Sequence, residues 1–151
     1  MLYDECMQTF ITHSSEETRM FGQTLAASFI PKTLITLAGD LGAGKTTLIQ
    51  GILAGLGAIP PYPSPTFVLM HQYELPQASA AGIRRVYHAD AYRVGREDFE
   101  KIGFLDWCTD PEGIVILEWP ERLGDLVPEQ HLNICLKALS ENDREIMVEK
   151  K

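Results

Sequence analysis

The stretch from Gly39 to Thr46 reads Gly-Asp-Leu-Gly-Ala-Gly-Lys-Thr and fits the pattern G-x-x-x-x-G-K-[ST] in full. Glycines let such a backbone curl until successive N–H groups point at phosphate oxygens, and the dipole of a following helix adds positive potential. The ammonium group of Lys45 would reach the β and γ phosphates, and the hydroxyl of Thr46 would coordinate Mg²⁺. The pattern therefore predicts a binding site for a nucleoside triphosphate.

The residues on either side of this stretch decide whether the match is accidental. Residues 33–38 are apolar and β-branched, as expected for a buried strand, and residues 47–56 carry apolar side chains at helical spacing. A glycine-rich turn could match the pattern by chance, but here strand, loop and helix follow in the order that phosphate binding requires. The context therefore favours a real nucleotide site.

A second candidate for this chemistry is Glu118, at the end of an apolar strand predicted over residues 113–118. Buried parallel strands deliver their last residues to the ligand crevice of an α/β sheet, so Glu118 would arrive beside the glycine-rich stretch. There it could hold Mg²⁺ through water or orient an attacking water, or it could simply end a strand. Trp119 follows it and is either a core residue or an aromatic residue of the site.

A third group of polar residues lies on the strand predicted over residues 84–92. Alternation places His88, Asp90 and Tyr92 on one face of that strand, an unusual set for a core, which indicates a polar site near the strand's end. Before the preceding strand, predicted over residues 67–73, Ser64 and Thr66 could sense a γ phosphate. In a proline-rich loop the same two residues could equally be turn formers.

The remaining elements must hold these groups in place. A short edge strand is predicted over residues 9–12, a helix from Ser15 to about Phe29, and a short helix over residues 96–103. Strands over residues 131–139 and 144–150 form a predicted hairpin, and residues 77–82 connect the two strands of another.

Composition limits the possible classes of protein. The chain has 151 residues, a net charge of −8 and a sequence pI near 4.9, so direct capture of nucleic acid is disfavoured, because cations supply most of that affinity. No apolar run approaches the roughly 18 residues of a membrane span. The first six residues show no signal peptide, and Cys6, Cys108 and Cys135 show no metal-binding spacing, so reduced thiols and a cytoplasmic location are expected.

Four segments in this order resemble the TsaE family, formerly called YjeE. They are Gly-Asp-Leu-Gly-Ala-Gly-Lys-Thr-Thr at residues 39–47, Ser-Pro-Thr-Phe at 64–67, His-Ala-Asp-Ala-Tyr-Arg at 88–93 and Glu-Trp-Pro at 118–120. A phosphate-binding loop alone is shared by many families, whereas the four segments together are specific. The resemblance runs from Ser14 to about Arg144, nearly the whole chain.

The resemblance implies a small ATPase of tRNA threonylcarbamoyladenosine modification. Such a protein works with TsaB and TsaD, which transfer a threonylcarbamoyl group to adenosine 37 of tRNA. It hydrolyses ATP weakly alone, and hydrolysis is thought to reset the complex between turnovers. ATP and Mg²⁺ are the implied cofactors, TsaB and TsaD the implied partners, and tRNA is reached only through the complex, with no role for a membrane.

The resemblance also implies roles for individual residues. Lys45, Asp90 and Glu118 would be catalytic, and Thr46 and Glu118 would serve the magnesium ion. Ser15 and Thr18 match an N-terminal Ser-x-x-Thr of the family, near the base. The full set of implied nucleotide-binding residues is Ser15, Thr18, Asp40, Leu41, Gly42, Ala43, Gly44, Lys45, Thr46, Thr47 and Trp119.

Other functions of the same loop give different expectations. A small-molecule kinase normally needs an arginine-bearing lid over the phosphates, for which Arg93 and Arg96 are the candidates. A GTPase would normally show an Asn-Lys-x-Asp motif, which does not occur in this sequence. A nucleotide-sensing subunit without hydrolysis would differ from an ATPase only in turnover.

The expected fold is α/β, a single-domain P-loop NTPase fold over residues 1–151. It is expected to be a three-layer sandwich in which a central mixed β-sheet is flanked by helices.

Overall fold

Seven strands pair into one mixed sheet in the computed structural model, which describes residues 7–151. The order across the sheet is β1-β7-β6-β2-β5-β4-β3. Strands β6, β2, β5 and β4 are parallel to one another, and β3, β7 and β1 run antiparallel to their neighbours. The strands are β1 Gln8–Thr12, β2 Leu34–Ala38, β3 Met70–Glu74, β4 Arg85–Asp90, β5 Gly113–Glu118, β6 Leu132–Ala138 and β7 Arg144–Lys150.

Helices cover both faces of this sheet. They are α1 Ser15–Ala26, α2 Lys45–Gly55, α3 Arg96–Lys101 and α4 Phe104–Cys108, with short 3₁₀ turns at Pro65–Phe67, Pro120–Arg122 and Gly124–Leu126. Alternation along the strands separates two cores. One joins Ile35 and Ile116 to α1 and α2, and the other joins Leu117 to Phe99 and Phe104 of α3 and α4. The predicted three-layer α/β architecture with a mixed sheet is confirmed.

Helices α1 and α2 touch almost backbone to backbone. A Cβ atom at Gly51 would lie 2.1 Å from the carbonyl oxygen of Arg19, and one at Gly22 would lie 2.5 Å from that of Leu48. No side chain fits in either place, so glycine at these positions permits the close approach. The contact holds α2, whose first residue is Lys45, against α1.

The first helix is shorter than predicted. Ser14 is its N-cap and accepts a hydrogen bond from the backbone N–H of Glu17, so the helix begins at Ser15. It ends at Ala26 rather than near Phe29, because a turn at residues 27–28 and a second at 31–32, which includes Pro31, lead the chain into β2.

Three other boundaries differ from the sequence prediction. Phe67 lies in a 3₁₀ turn that Ser64 caps, so β3 begins at Met70. Strand β4 ends at Asp90, so Tyr92 lies beyond the sheet. The predicted helix over 96–103 ends at Lys101, and a left-handed Gly103 (φ 85°) starts the separate helix α4, which the sequence analysis left as an apolar patch.

The sequence predictions for the first six residues and for Cys6 lie outside the described part of the chain. Cys108 and Cys135 are free, and burial raises the pKa of the Cys108 thiol to about 12, which disfavours its reactive thiolate form. Among residues 7–151, no helix combines the length and the apolar character that crossing a membrane requires.

Candidate functional site

Two carboxylates stand side by side at the carboxyl edge of the parallel strands. Asp90, the last residue of β4, pairs in register with Glu118, the last residue of β5, and Glu118 also pairs with Leu37 of β2. Residues in register on neighbouring strands project from the same face of a sheet. The strand register therefore places Glu118 beside the end of β2, as predicted, and brings Asp90, predicted only for a polar site at the end of its own strand, next to it.

The glycine-rich loop, residues 39–46, leaves the end of β2 next to these carboxylates. Gly39, Gly42 and Gly44 have φ angles of 142°, 80° and 103°, values that side-chain-bearing residues rarely adopt. The loop turns directly into helix α2, with Gly44 as the N-cap. The first N–H groups of an α-helix have no partner within the helix, so this end of α2 presents donors and positive potential to a ligand.

The Lys45 side chain is folded back over the loop that precedes it. Its Nζ donates to the carbonyl oxygen of Gly39 and, at 3.0 Å, to that of Asp40. The same Nζ lies 4.4 Å from the centre of the Trp119 ring, within the range of a cation–π contact. Only 6% of Lys45 is exposed, so its charged group is buried at the mouth of the loop.

Asp90 is held by hydrogen bonds to both of its oxygens. The backbone N–H of Tyr92 donates to Oδ1 at 2.8 Å, and the Thr66 hydroxyl donates to Oδ2 at 3.0 Å. Ser64 Oγ lies 2.7 Å from Thr66 Oγ1 and, because Thr66 gives its proton to Asp90, acts as the donor. Of the two hydroxyls predicted as candidate sensors, that of Thr66 is therefore bonded directly to the buried carboxylate, and that of Ser64 is linked to it through Thr66.

Glu118 has a different partner. His88 Nε2 lies 2.8 Å from Glu118 Oε1, and both residues are almost fully buried. Within residues 7–151, the Glu118 carboxylate forms its hydrogen bond with the His88 imidazole.

Aromatic side chains close the rim of the site. Trp119 has a left-handed backbone (φ 59°), uncommon for a bulky residue, and this turns its ring over Lys45. Tyr92 packs against Trp119 with ring centres 5.0 Å apart. On the far side, the Arg93 guanidinium lies 4.5 Å from the centre of the Phe67 ring.

These groups line one cavity of about 560 Å³. Charged side chains of both signs and the loop backbone share its wall, which suits a ligand that carries phosphates and a cation. The lining residues are Leu41, Gly42, Gly44, Lys45, Thr46, Thr47, Ser64, Thr66, Asp90, Tyr92, Arg93, Glu118, Trp119 and Arg144.

A larger cavity, about 790 Å³, lies at the amino ends of the parallel strands, near Leu34 and Leu132 at the starts of β2 and β6. Lysine and apolar side chains dominate its wall, to which the described residues contribute no Asp or Glu side chain. Ligands of open α/β sheets bind at the carboxyl ends of the strands, so the smaller cavity is the candidate site.

Most of the catalytic and nucleotide-binding residues that the resemblance implied lie on the smaller cavity, and four do not. Asp40 and Ala43 belong to the loop but do not line the cavity, and Ala43 is buried in the core. Ser15 is exposed at the start of α1. Thr18 is 1% exposed, with its hydroxyl 2.7 Å from that of Thr12, so its visible role is to join α1 to β1.

Arg144 lines the cavity although the sequence analysis did not single it out for the site. Its Nη2 donates to the Gly42 carbonyl at 3.3 Å, and its Nε lies 3.5 Å from where a Cβ of Gly44 would stand. Arg144 opens β7, about a hundred residues after the loop that it contacts. The sequence named it only as the first residue of the second strand of the last predicted hairpin, residues 144–150.

The side chains fit a magnesium ion that arrives with a nucleotide. Residues 7–151 contain no cluster of three or more His, Cys, Asp or Glu side chains that would hold a metal by themselves. Thr46, Asp90 and Glu118 instead offer a few oxygens around one cavity. Mg²⁺ is commonly bound by one or two carboxylates together with substrate phosphates and water, and this set of donors matches that mode.

The comparisons with known proteins agree on one family. Residues 12–146 match the family described as "Threonylcarbamoyl adenosine biosynthesis protein TsaE". A Bacillus subtilis protein named tRNA threonylcarbamoyladenosine biosynthesis protein TsaE is 35% identical, over 89% of this chain and 80% of its own. The protein of that name from Synechocystis is 38% identical over 82% and 76%.

The fold agrees with the sequence comparison. The crystal structure of Bacillus subtilis YdiB superposes with a TM-score of 0.73 and 28% identity, covering 98% of this chain and 88% of that one. The family match takes in the glycine-rich loop, both carboxylates and Arg144. This chain belongs to the TsaE family.

Proposed function

We propose that this protein is a magnesium-dependent ATPase of tRNA threonylcarbamoyladenosine biosynthesis that acts with the TsaB and TsaD proteins. The observation that carries the proposal is the register at the carboxyl edge of the sheet. It brings the glycine-rich loop, Lys45, Asp90 and Glu118 to one cavity. The coverage of the family match supports the pathway.

The loop and the start of α2 would hold the phosphates. Backbone N–H groups supply hydrogen bonds, and Lys45 would exchange its two carbonyl acceptors for the β and γ phosphate oxygens, which carry full negative charge. The Thr46 hydroxyl would complete the site by coordinating Mg²⁺. The magnesium ion would polarise the γ phosphate and offset its charge.

The two carboxylates would then take separate tasks. Asp90 accepts hydrogen bonds on both oxygens, so it is held rigidly and connects the γ-phosphate end of the cavity to Thr66. Glu118 would orient the water that attacks the γ phosphate or hold a water of the magnesium shell. Glu118→Gln should therefore keep most nucleotide affinity and lose most hydrolysis.

Adenine is the expected base. The motivation is the family membership, together with the absence of an Asn-Lys-x-Asp guanine motif from the sequence. The start of α1 lies near the loop, because Thr12 pairs with Arg144 and Arg144 contacts Gly42. Residues such as Ser15 would then flank the base. Competition between ATP and GTP tests this, and tighter GTP binding would contradict it.

Partner docking is expected around the cavity's exposed apolar rim. Leu41 lines the cavity and is 75% exposed, and Phe67, whose ring contacts the cavity residue Arg93, is 82% exposed and is followed by Val68 at 57%. Thr66 links this rim to Asp90, so a γ phosphate at Asp90 could move it. We therefore expect docking on a TsaB–TsaD pair to depend on the nucleotide.

A pull-down of the TsaB–TsaD pair tests the nucleotide dependence. The protein would be loaded with a non-hydrolysable ATP analogue, with ADP or with no nucleotide. Recovery should be strongest with the analogue, and equal recovery in all three would contradict a nucleotide-gated interface. With a net charge of −8 the isolated protein should not hold tRNA at physiological salt, and tight tRNA binding without partners would contradict the indirect role.

The positions of Arg93 and Arg96 bear on the alternative function as a small-molecule kinase. Arg96, a candidate lid residue for a small-molecule kinase, pairs with Glu100 and Asp125 and lines a separate cavity. Only Arg93 of the two candidates lines the proposed site. A nucleotide sensor without hydrolysis would use the same contacts, and measured turnover separates it from an ATPase.

A further inference from the structure

We propose that His88 is a positioning residue that orients the Glu118 carboxylate toward magnesium and the attacking water. The inference rests on the proposed function and gives a specific task to His88, which the sequence predicted only as one member of a polar strand face. The structure supplies three observations: the bond between the two side chains, the unpaired second nitrogen of the ring, and the position of Lys45.

The first observation is the bond itself. His88 lies on β4 two residues before Asp90, and Asp90 pairs in register with Glu118 of β5. His88 and Glu118 therefore project from the same face, and the Glu118 side chain bends back until Oε1 is 2.8 Å from His88 Nε2. His88 is 4% exposed and Glu118 6%, so water competes little for this bond.

The second observation is that His88 Nδ1 is buried without a hydrogen-bond partner in residues 7–151. The tautomer that fits has its proton on Nε2, where Glu118 accepts it, and leaves a lone pair rather than an unbonded N–H on Nδ1. The ring thus makes one polar contact, and that contact is to Glu118. Its partner in register on β5 is Ile116, so an apolar side chain would suit a purely structural role better.

The third observation concerns Lys45, which lines the same cavity as Glu118. An ammonium group and a carboxylate in one partly enclosed cavity attract each other, yet Lys45 donates to the Gly39 and Asp40 carbonyls while Glu118 is bonded to His88. The hydrogen bond from His88 holds Oε1 on the β4 side. It thereby keeps Glu118 from pairing with Lys45 and leaves Oε2 for the magnesium shell.

The test compares two substitutions of His88 with a neighbouring control. His88→Gln keeps an N–H donor close to the position of Nε2, and His88→Leu removes it with similar bulk. His71→Leu is the control, because His71 is the register partner of His88 on β3 but has no contact with Glu118. Thermal unfolding of each variant establishes that it is folded.

Two readouts follow the metal and the chemistry. Mn²⁺ binding to the ATP-analogue-loaded protein, followed by electron paramagnetic resonance, should weaken about ten-fold in His88→Leu, and phosphate release should fall about as far. Metal-free nucleotide binding should stay within about two-fold of wild type. His88→Gln should recover most of both losses, and His71→Leu should behave as wild type.

A spectroscopic signature supports the assignment without any substitution of His88. The ¹⁵N spectrum of the wild-type imidazole should show the proton on Nε2, and Glu118→Gln should shift the His88 signals while leaving those of His71 in place.

Equal metal affinity and turnover in wild type and His88→Leu would overturn the proposal, as would equal impairment of His88→Leu and His88→Gln in folded proteins. Failure of the proposed function looks different: wild type would not bind ATP, or Glu118→Gln would turn over at the wild-type rate.

Discussion

Lys45 Nζ lies 4.4 Å from the centre of the Trp119 ring, so the cation at the mouth of the glycine-rich loop is covered by the residue that follows Glu118. Such a cation–π contact contributes on the order of 1 kcal/mol when partly desolvated. Phosphate oxygens would compete with it for the same ammonium group. Nucleotide binding should therefore change the surroundings of Trp119 directly.

Trp119 should report nucleotide binding by fluorescence. Trp107 must first be replaced, and Trp107→Phe is suitable because Trp107 stacks on Tyr87, with ring centres 5.6 Å apart, and is not among the residues that line the cavity. In that background, adding ATP should alter the intensity or the emission maximum, since Lys45 leaves the ring. An unchanged spectrum under conditions where calorimetry shows binding would place Trp119 outside the nucleotide's reach.

Replacing Lys45 by alanine should weaken ATP binding by ten-fold or more. A hydrogen bond from a charged group contributes about 1.5–3 kcal/mol, and the variant loses this contact together with the charge that offsets the β and γ phosphates. Isothermal calorimetry measures the effect, with Lys101→Ala as the control, because Lys101 is an exposed residue of α3. Unchanged affinity in Lys45→Ala would remove the loop from the binding site.

Arg144→Ala should lower ATP affinity about ten-fold, or ~1.4 kcal/mol, because the cavity loses a cation and the Gly42 carbonyl loses a donor. Arg144→Lys should recover part of the loss, since it keeps the charge but not the planar fork. Arg84→Ala serves as the control, because Arg84 is exposed and pairs with Glu112 away from the cavity. If both alanine variants bind ATP equally well, Arg144 only supports the loop.

Asp110 should make stability depend on acid. Its carboxylate accepts from Arg85 Nε at 2.7 Å and from the Tyr87 hydroxyl at 2.7 Å. The hydrogen bond from the Arg85 guanidinium is the main reason why the pKa of Asp110 lies well below its usual range. Because the folded-state pKa is the lower one, this stabilisation is complete above the unfolded value of about 4 and is lost as the pH falls further.

Asp110→Asn should therefore lower the free energy of unfolding by about 2–3 kcal/mol at pH 7. The difference from wild type should shrink as the pH falls from about 4 to 2, where wild type progressively loses the same contribution. Urea unfolding across this range measures it, and Glu112→Gln, at a half-exposed carboxylate, should cost much less. A gap that stays constant down to pH 2 would show that the ion pair is not what stabilises the fold here.

The sequence predicted the parts of the site that are local in the chain. The glycine-rich loop follows from its own pattern and from its flanking strand and helix, and Glu118 follows from the apolar run before it. Asp90 and His88 were placed on one face by alternation alone, because a strand has a period of two. These inferences require no knowledge of which strands are neighbours.

The contacts that could not be predicted from the sequence depend on strand order and register. The bond between His88 and Glu118 requires β4 beside β5 in one specific register, and the contact between Arg144 and Gly42 requires the last hairpin to return beside the loop. Local propensity also misplaced boundaries: α1 ends at Ala26 rather than near Phe29, and the 3₁₀ turn at Phe67, which Ser64 caps, delays the start of β3.

The most direct test of the account is steady-state phosphate release from Mg²⁺–ATP by the wild-type protein and by Glu118→Gln, each with and without a purified TsaB–TsaD pair. The account predicts slow release by wild type alone and faster release with the partners. Glu118→Gln should lose at least about ten-fold of both rates while calorimetry still shows ATP binding. Phosphate release by Glu118→Gln at the wild-type rate, or no release by wild type even with partners, would contradict the assignment of this cavity as an ATPase site.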